Sequence, residues 1–214
     1  MDIYWYGQAL FRIKGKTASV VVDPYDADFV GLKAPKMEEA DIVLVTHQHR
    51  DHNYTSLVSG PSMVFSGPGE YEVKGAVITG ISSFHDNSKG QERGLNTIYQ
   101  IFMEGLNVVH LGDLGQDKLT EEQILAIGQT DILMIPVGGT YTINSKQAAE
   151  IVSQLEPKII IPMHYGIPEL KFPLEEVDKF LKEMGAEEVV PQPKLSITKD
   201  KLPDEPTVVV LSKI

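Results

Sequence analysis

The fold is decided by the stretch Ile42-Val43-Leu44-Val45-Thr46-His47-Gln48-His49-Arg50-Asp51-His52, in which an apolar run leads directly into three histidines and an aspartate. The run Ile42–Val45 is apolar throughout rather than alternating, which predicts a strand buried on both faces. His47 and His49 are two positions apart just past this strand, so an extended backbone directs both imidazoles to one side. Asp51 and His52 follow in the turn. We therefore expect four nitrogen and oxygen donors to converge at the end of one buried strand.

The clustering of histidine in this stretch points to metal binding. The chain has 6 histidines, and three of them fall within the six residues 47–52. A solvated histidine-rich loop is the alternative, but it explains neither the aspartate nor the buried strand before it. The chain has no cysteine, which excludes disulfides, iron–sulfur clusters and cysteine-ligated zinc. Any metal must therefore bind to His, Asp or Glu.

Charge restricts the classes of partner. The chain has 30 Asp and Glu against 19 Lys and Arg, a formal net charge of −11. Non-specific binding to a polyanion depends on clustered Lys and Arg, so this balance makes nucleic acid an unlikely partner. A small-molecule substrate is expected instead.

Length and hydropathy indicate one globular domain over residues 1–214, because 214 residues of which 42% are hydrophobic can bury a sizeable core. The first residues resemble no signal peptide, and the longest apolar run, 132–137, is too short to span a membrane. We therefore expect a cytoplasmic location and no membrane partner.

Strand and helix patterns alternate along the chain. Strand-like runs, separated by Gly and Pro, lie at residues 9–13, 18–22, Ile42–Val45, 63–65, 77–81, 107–110, 132–137 and 159–161. Amphipathic or capped segments predict helices at residues 120–128, Ser145–Leu155 and 174–184. Strands that are buried on both faces and covered by helices imply a layered α/β architecture.

The motif Thr46-His47-x-His49-x-Asp51-His52 lacks the His-Glu-x-x-His spacing of helical zinc proteases and resembles the signature of the metallo-β-lactamase superfamily. That resemblance implies an αββα four-layer sandwich of two mixed β-sheets flanked by helices. It also implies further metal ligands in later loops. The matching residues are His85 in Ser82-Ser83-Phe84-His85-Asp86, Asp113 in His110-Leu111-Gly112-Asp113, and His164 in Ile161-Pro162-Met163-His164-Tyr165-Gly166.

By this resemblance, two divalent metal ions are expected. The implied ligands are His47, His49 and His85 for one ion, Asp51, His52 and His164 for the second, and Asp113 as the bridge. Asp51, Asp113 and His164 are also expected to be catalytic. Imidazole and carboxylate donors suit Zn²⁺, which is expected first, and also Mn²⁺ or Fe. Two ions about 3.5–4 Å apart can share a hydroxide and polarise a substrate oxygen, which predicts a hydrolase.

Further motifs resemble the small bacterial and archaeal zinc-dependent hydrolases of the ascorbate-6-phosphate lactonase group. They are Trp5-Tyr6-Gly7, Val22-Asp23-Pro24-Tyr25, Gly67-Pro68-Gly69-Glu70-Tyr71 and Pro136-Val137-Gly138-Gly139-Thr140-Tyr141. The chain departs from many relatives at Gly7-Gln8-Ala9, where they have Gly-His-Ser. The expected substrate is a small ester, lactone or phosphorylated metabolite. The alternatives are a nuclease or phosphodiesterase of the same superfamily and a non-catalytic metal-binding sensor.

Three features stay open at this point. His110 is interpreted as a strand histidine satisfied by a backbone group, with support of a ligand or direct ligation as the alternatives. Segment 86–96, with Lys89 and Arg93 as its cations, is either a mobile lid or a solvated hairpin. Segment 138–144 either binds an anion at a helix N-terminus or provides the helix cap through Asn144 or Ser145.

Overall fold

The computed structural model describes residues 1–33, 35–60 and 62–214. In chain order the strands are β1 (Asp2–Trp5), β2 (Phe11–Lys14), β3 (Ser19–Val22), β4 (Ile42–Val45), β5 (Met63–Ser66), β6 (Gly69–Val73), β7 (Ala76–Phe84), β8 (Leu95–Met103), β9 (Leu106–His110), β10 (Ile132–Pro136), β11 (Ile159–Met163), β12 (Leu195–Ser196) and β13 (Thr207–Val208). The α-helices are α1 (Ala27–Val30), α2 (Glu121–Ile127), α3 (Ser145–Leu155) and α4 (Asp178–Glu183). Two 3₁₀ turns lie at Thr55–Leu57 and Lys199–Lys201.

The strands form two mixed sheets. The first has the order β12-β1-β2-β3-β4-β5, and the second has the order β13-β11-β10-β9-β8-β7-β6. In the first sheet β1, β2, β3 and β12 pair antiparallel, whereas β3, β4 and β5 are parallel. In the second, β6 to β9 are antiparallel, and β9, β10, β11 and β13 are parallel. Crossovers between parallel strands run through helices or long loops, which places those segments on the outer faces.

The main core lies between the sheets, because alternate residues of each strand face it. Val20 and Val22 belong to this core, whereas Val21 belongs to a smaller core on the outer side of the first sheet, beneath α1. The apolar run of β4 is divided between the two cores in the same way, with Leu44 on the inner side and Val43 on the outer. This division explains why the run is continuous rather than alternating. The expected four-layer αββα sandwich is confirmed.

Two predicted helices have the expected caps. Thr120 caps α2 in a capping box with Gln123, and Asn144 caps α3 in a capping box with Gln147. None of the helices in residues 1–33, 35–60 and 62–214 has the length and apolar character needed to cross a bilayer.

The third predicted helix, 174–184, is wrong over its first turn, since α4 covers only Asp178–Glu183. The backbone N–H of Glu175 donates to the Gly138 carbonyl (2.9 Å), and the Glu175 carbonyl accepts from the Gly166 N–H (2.8 Å). A helix that began at residue 174 would need the Glu175 carbonyl for the Lys179 N–H, so tertiary contact overrides the amphipathic period. Strands β1, β6 and β8 and helix α1 were not predicted.

Candidate metal centre

The predicted donors lie on four segments, each of which follows the carboxyl end of a strand. These strands are β4, β7, β9 and β11. The ligand atoms of His47, His49 and His85 all lie within 4.8 Å of one another. A second group has the same spacing and consists of Asp51, His52, Asp113 and His164. The structure therefore brings all seven residues together as the sequence predicts, and we call this cluster the candidate metal centre; their role as ligands stays a prediction.

Asp113 lies between the two groups. Its Oδ2 atom is 3.2 Å from His52 Nε2, 3.3 Å from His85 Nε2 and 3.4 Å from His164 Nε2. The Nε2 atom of His47 is 4.0 Å away. One carboxylate thus faces imidazoles from both groups, which is the position that a bridging ligand would need.

Several donor atoms of the cluster lack hydrogen-bond partners among the described residues, and this lack tests whether the cluster fits a metal ion. Asp113 Oδ1 and His52 Nε2 are buried and form no hydrogen bond with the residues that the structure describes. His47 Nε2 and His49 Nδ1 face each other at 3.0 Å, where only one of the two nitrogens can carry a proton. Buried lone pairs without donors are costly, and divalent cations would satisfy them. The residues present therefore fit a metal site.

Asp23 holds the second group from behind. Its Oδ1 accepts from the Thr46 backbone N–H (2.8 Å), and its Oδ2 accepts from the Thr46 hydroxyl (2.7 Å). Oδ2 also lies 2.8 Å from Nδ1 of His52 and can accept a hydrogen bond from it. This contact orients the ring so that Nε2 faces the cluster. Asp23 belongs to the motif Val22-Asp23-Pro24-Tyr25, which by itself predicts no role for this carboxylate.

Asn96 of β8 positions the central carboxylate. Its Oδ1 accepts from the Asp113 backbone N–H (3.0 Å), while its Nδ2 donates to the Leu111 carbonyl (2.9 Å). Gly112 has φ +57°, and a Cβ there would lie 2.3 Å from Asn96 Oδ1. The tight packing around Gly112 therefore requires glycine. Asn96 was missed because β8 itself was not predicted.

Gln8 lies against the second group of donors. It is fully buried with φ +49°, and its Nε2 is 3.4 Å from Asp51 Oδ2 and 3.5 Å from His164 Nε2. Its backbone carbonyl accepts from the His164 N–H (3.1 Å). Gln8 therefore fixes the backbone that carries His164 and extends an amide toward two predicted ligands.

For His52 and Asp113, burial and the neighbouring charges shift the pKa in opposite directions. Burial lowers the pKa of His52, but the negative charges of Asp113, Asp23 and Asp51 outweigh burial and raise that pKa well above its ordinary value. Burial raises the pKa of Asp113, yet the interactions with His164 and His52 hold that pKa well below its usual range. The pKa of His47 falls to about 2 because of burial and the charge of His52. Neutral imidazole is the form that binds metal.

His110 lies outside both groups of donors. Its Nε2 is 3.0 Å from the Ala9 carbonyl, and its Nδ1 accepts from the Gly112 N–H (3.1 Å). The interpretation of His110 as a buried strand histidine satisfied by backbone groups is confirmed.

The segment after His85 is tied to one carboxylate. Asp86 accepts from the backbone N–H groups of Ser88, Gly90, Glu92 and Arg93, at 2.8 to 3.0 Å. Burial raises the pKa of Asp86, but these backbone donors lower it to about 2. The loop is thus organised around Asp86. In segment 138–144, Asn144 accepts from the Lys146 and Gln147 N–H groups, which confirms the cap interpretation.

A cavity of about 450 Å³ opens over the candidate metal centre. His49, Asp51, His85, Asp113 and His164 line its floor. A small organic molecule placed there would lie directly against both groups of donors.

Comparisons with known proteins agree on one family. A family model described as "Beta-lactamase superfamily domain" matches residues 2–164. A UPF0173 protein of Pyrococcus abyssi is 32% identical over 192 residues, which cover 78% of this chain and 84% of that protein. A UPF0173 metal-dependent hydrolase of Methanopyrus kandleri is 27% identical, over 86% and 93% of the two chains.

Solved structures extend this likeness. A Thermotoga maritima protein assigned to the Zn-dependent hydrolases of the metallo-β-lactamase superfamily has 40% identity and a TM-score of 0.80, over 98% of this chain and 97% of that one. A metallo hydrolase of Ignicoccus hospitalis has 19% identity and a TM-score of 0.67, over 92% and 99% of the chains. At that identity the second structure supports the fold alone.

Proposed function

The chain belongs to the β-lactamase superfamily, and from this premise we propose that it is a binuclear metal-dependent hydrolase of a small ester, lactone or phosphorylated metabolite. One observation carries the proposal, namely that seven donors from four strand ends, with Asp113 among them, meet at the floor of an open cavity. The names of the Methanopyrus kandleri and Thermotoga maritima proteins support metal-dependent hydrolysis.

The proposed ligands are those that the resemblance implies. One divalent ion, Zn²⁺ first and Mn²⁺ or Fe as alternatives, would be held by His47, His49 and His85 and a second by Asp51, His52 and His164, with Asp113 as the ligand that they would share. When bound, such ions supply Lewis-acid activation of water and of a carbonyl or phosphoryl oxygen.

The chain's own residues orient the reacting groups. Asp51 is partly exposed on the cavity floor, so its carboxylate can accept a hydrogen bond from an attacking water. Asp113 and His164 are buried beside it and fix the second group of donors. Asp23 holds the His52 tautomer, which keeps this arrangement in place before substrate arrives.

The test combines metal analysis with a substrate panel. Metal-depleted protein is reconstituted with Zn²⁺ or Mn²⁺, its ions per chain are counted by mass spectrometry, and it is assayed on esters, lactones, phosphate monoesters, phosphodiesters and nucleic acid. We expect two ions per chain and metal-dependent hydrolysis of an ester, a lactone or a phosphate monoester. A single ion, turnover confined to nucleic acid or phosphodiesters, or ligand binding without turnover would contradict the proposal. A cytoplasmic location is part of the same proposal.

A further inference from the structure

The mouth of the cavity carries a row of three aromatic rings, which we call the aromatic rim: Phe29, Phe172 and Tyr141. The centroids of Phe29 and Phe172 are 5.5 Å apart, and those of Phe172 and Tyr141 are 6.1 Å apart, both in edge contact. A guanidinium lies at each end of the row. Arg50 is 4.9 Å from the Phe29 centroid, and Arg93 is 6.0 Å from the Tyr141 centroid.

The two guanidinium groups differ in their partners. Arg50 forms an ion pair with Asp26 at 2.6 Å, so much of its charge is already compensated. Arg93 lies 3.9 Å from the exposed carboxylate of Glu92. Its guanidinium donates no hydrogen bond to any residue within the described ranges. Arg93 therefore offers several N–H donors at the cavity mouth, in a planar group that matches carboxylate and phosphate.

The backbone of Arg93 is held relative to the candidate metal centre. Its N–H donates to Asp86 Oδ2 at 2.8 Å, and Asp86 directly follows His85. The His85 N–H donates to the Gly94 carbonyl at 3.1 Å, which closes the loop. Because the backbone is already held, ordering it costs little when a ligand binds to the Arg93 side chain.

The charge of the cavity differs from that of the molecule. Arg50 is paired with Asp26, so Arg93 is the lining cation whose charge can offset Asp51 and Asp113, in a chain with a net charge of −11. Exposed rings at the mouth provide an apolar surface between the arginines. The cavity therefore combines a planar cation with an apolar wall beside the reacting groups.

We propose that the substrate is an amphipathic anion, whose apolar or aromatic part packs on the aromatic rim while its carboxylate or phosphate group binds Arg93. This assignment names the substrate class of the hydrolase proposed above and rests on that proposal.

The first test measures binding to metal-free protein, where an anion cannot bind to a metal ion instead of to Arg93. Calorimetry with phenylacetate, phenyl phosphate, neutral phenylacetamide and acetate separates the charge from the apolar group. We expect at least one aromatic anion to bind about tenfold more tightly than both phenylacetamide and acetate. The tighter of the two aromatic anions identifies carboxylate or phosphate as the recognised group.

Matched variants assign the effect to one residue. Arg93→Gln should abolish the preference for the anion, whereas Lys89→Gln removes the same charge from an exposed position of the same loop and should preserve it. Equal affinity for phenylacetamide, no binding of any probe, or an equal loss in Lys89→Gln would overturn the inference. Circular dichroism checks that both variants fold.

The second test is kinetic and uses zinc-reconstituted protein with phenyl acetate and its carboxylate analogue, 4-acetoxybenzoate. Arg93→Gln should lower the ratio of kcat/KM for the anionic ester to that for the neutral ester by about tenfold. Hydrolysis of both esters without this change in ratio overturns the inference and leaves the hydrolase proposal standing. Binding that depends on Arg93, without turnover of any substrate, supports anion recognition by Arg93 and contradicts the hydrolase proposal.

Discussion

The candidate metal centre and the aromatic rim share one cavity but are built in different ways. The centre consists of side chains at strand ends, and five of its members are at most 6% exposed: His47, His52, His85, Asp113 and His164. The rim consists of loop and helix residues, and Phe29 and Tyr141 are each 36% exposed. Buried polar groups must be fully partnered, whereas exposed rings need not be. Under the two proposals above, the centre would determine the type of reaction and the rim would determine the substrate.

The largest effect should come from breaking the centre at Asp113. Asp113→Ala removes the carboxylate that faces both groups of donors, so we expect turnover to fall by at least about 1000-fold and the number of ions per chain to decrease. Metal analysis and kcat/KM check this result, and binding of an anion at the rim of metal-free protein should persist. Full metal occupancy with retained activity would show that Asp113 is not a metal ligand.

A smaller effect is expected from Asp23, which contacts His52 of the centre and the neighbouring Thr46. Asp23→Asn keeps the shape of the side chain, and asparagine tolerates the φ of +52° at this position. The loss of charge weakens the hold on His52 Nδ1, so we expect metal affinity to fall by about 10- to 100-fold. Competition with a chelator measures this affinity. Asp28→Asn, on the exposed surface of α1, is the control and should change nothing.

The smallest effect should come from the loop that carries Arg93. Asp86→Asn leaves some of the four N–H groups without an acceptor, so we expect their hydrogen exchange to accelerate and the affinity for an aromatic anion to fall about threefold. The folded-state pKa of Asp86 is about 2, below its ordinary 3.8. Its stabilising effect is therefore present above pH 3.8 and is lost as the pH falls through about 2. Unchanged exchange in the variant would show that other contacts hold the loop.

The same contrast explains what could be predicted from the sequence. The centre is visible because donors follow apolar strand runs at short, regular spacings, as His47, His49 and Asp51 do. Asp23 and Asn96 were not assigned because their roles depend on contacts with Thr46 and Asp113, 23 and 17 positions away. Such contacts follow from strand pairing, which no local pattern encodes.

The rim was invisible for a related reason. Phe29 and Phe172 lie 143 positions apart, and each is an ordinary residue in its own segment. The error at 174–184 has the same origin, because an amphipathic period cannot report that Gly138 and Gly166 bind the backbone of Glu175. Local sequence thus predicted most of the elements and the motif, while the assembly of distant segments decided the rest.

The closure of the first sheet by β12 has a consequence for biosynthesis. Ile3 pairs with Leu195, so the sheet cannot be completed until residue 195 has left the ribosome. His164, which follows β11, also emerges long after the motif that begins at His47. The donors of the candidate metal centre can therefore meet only late in synthesis, and any cation that they bind is taken from the metals available at that stage.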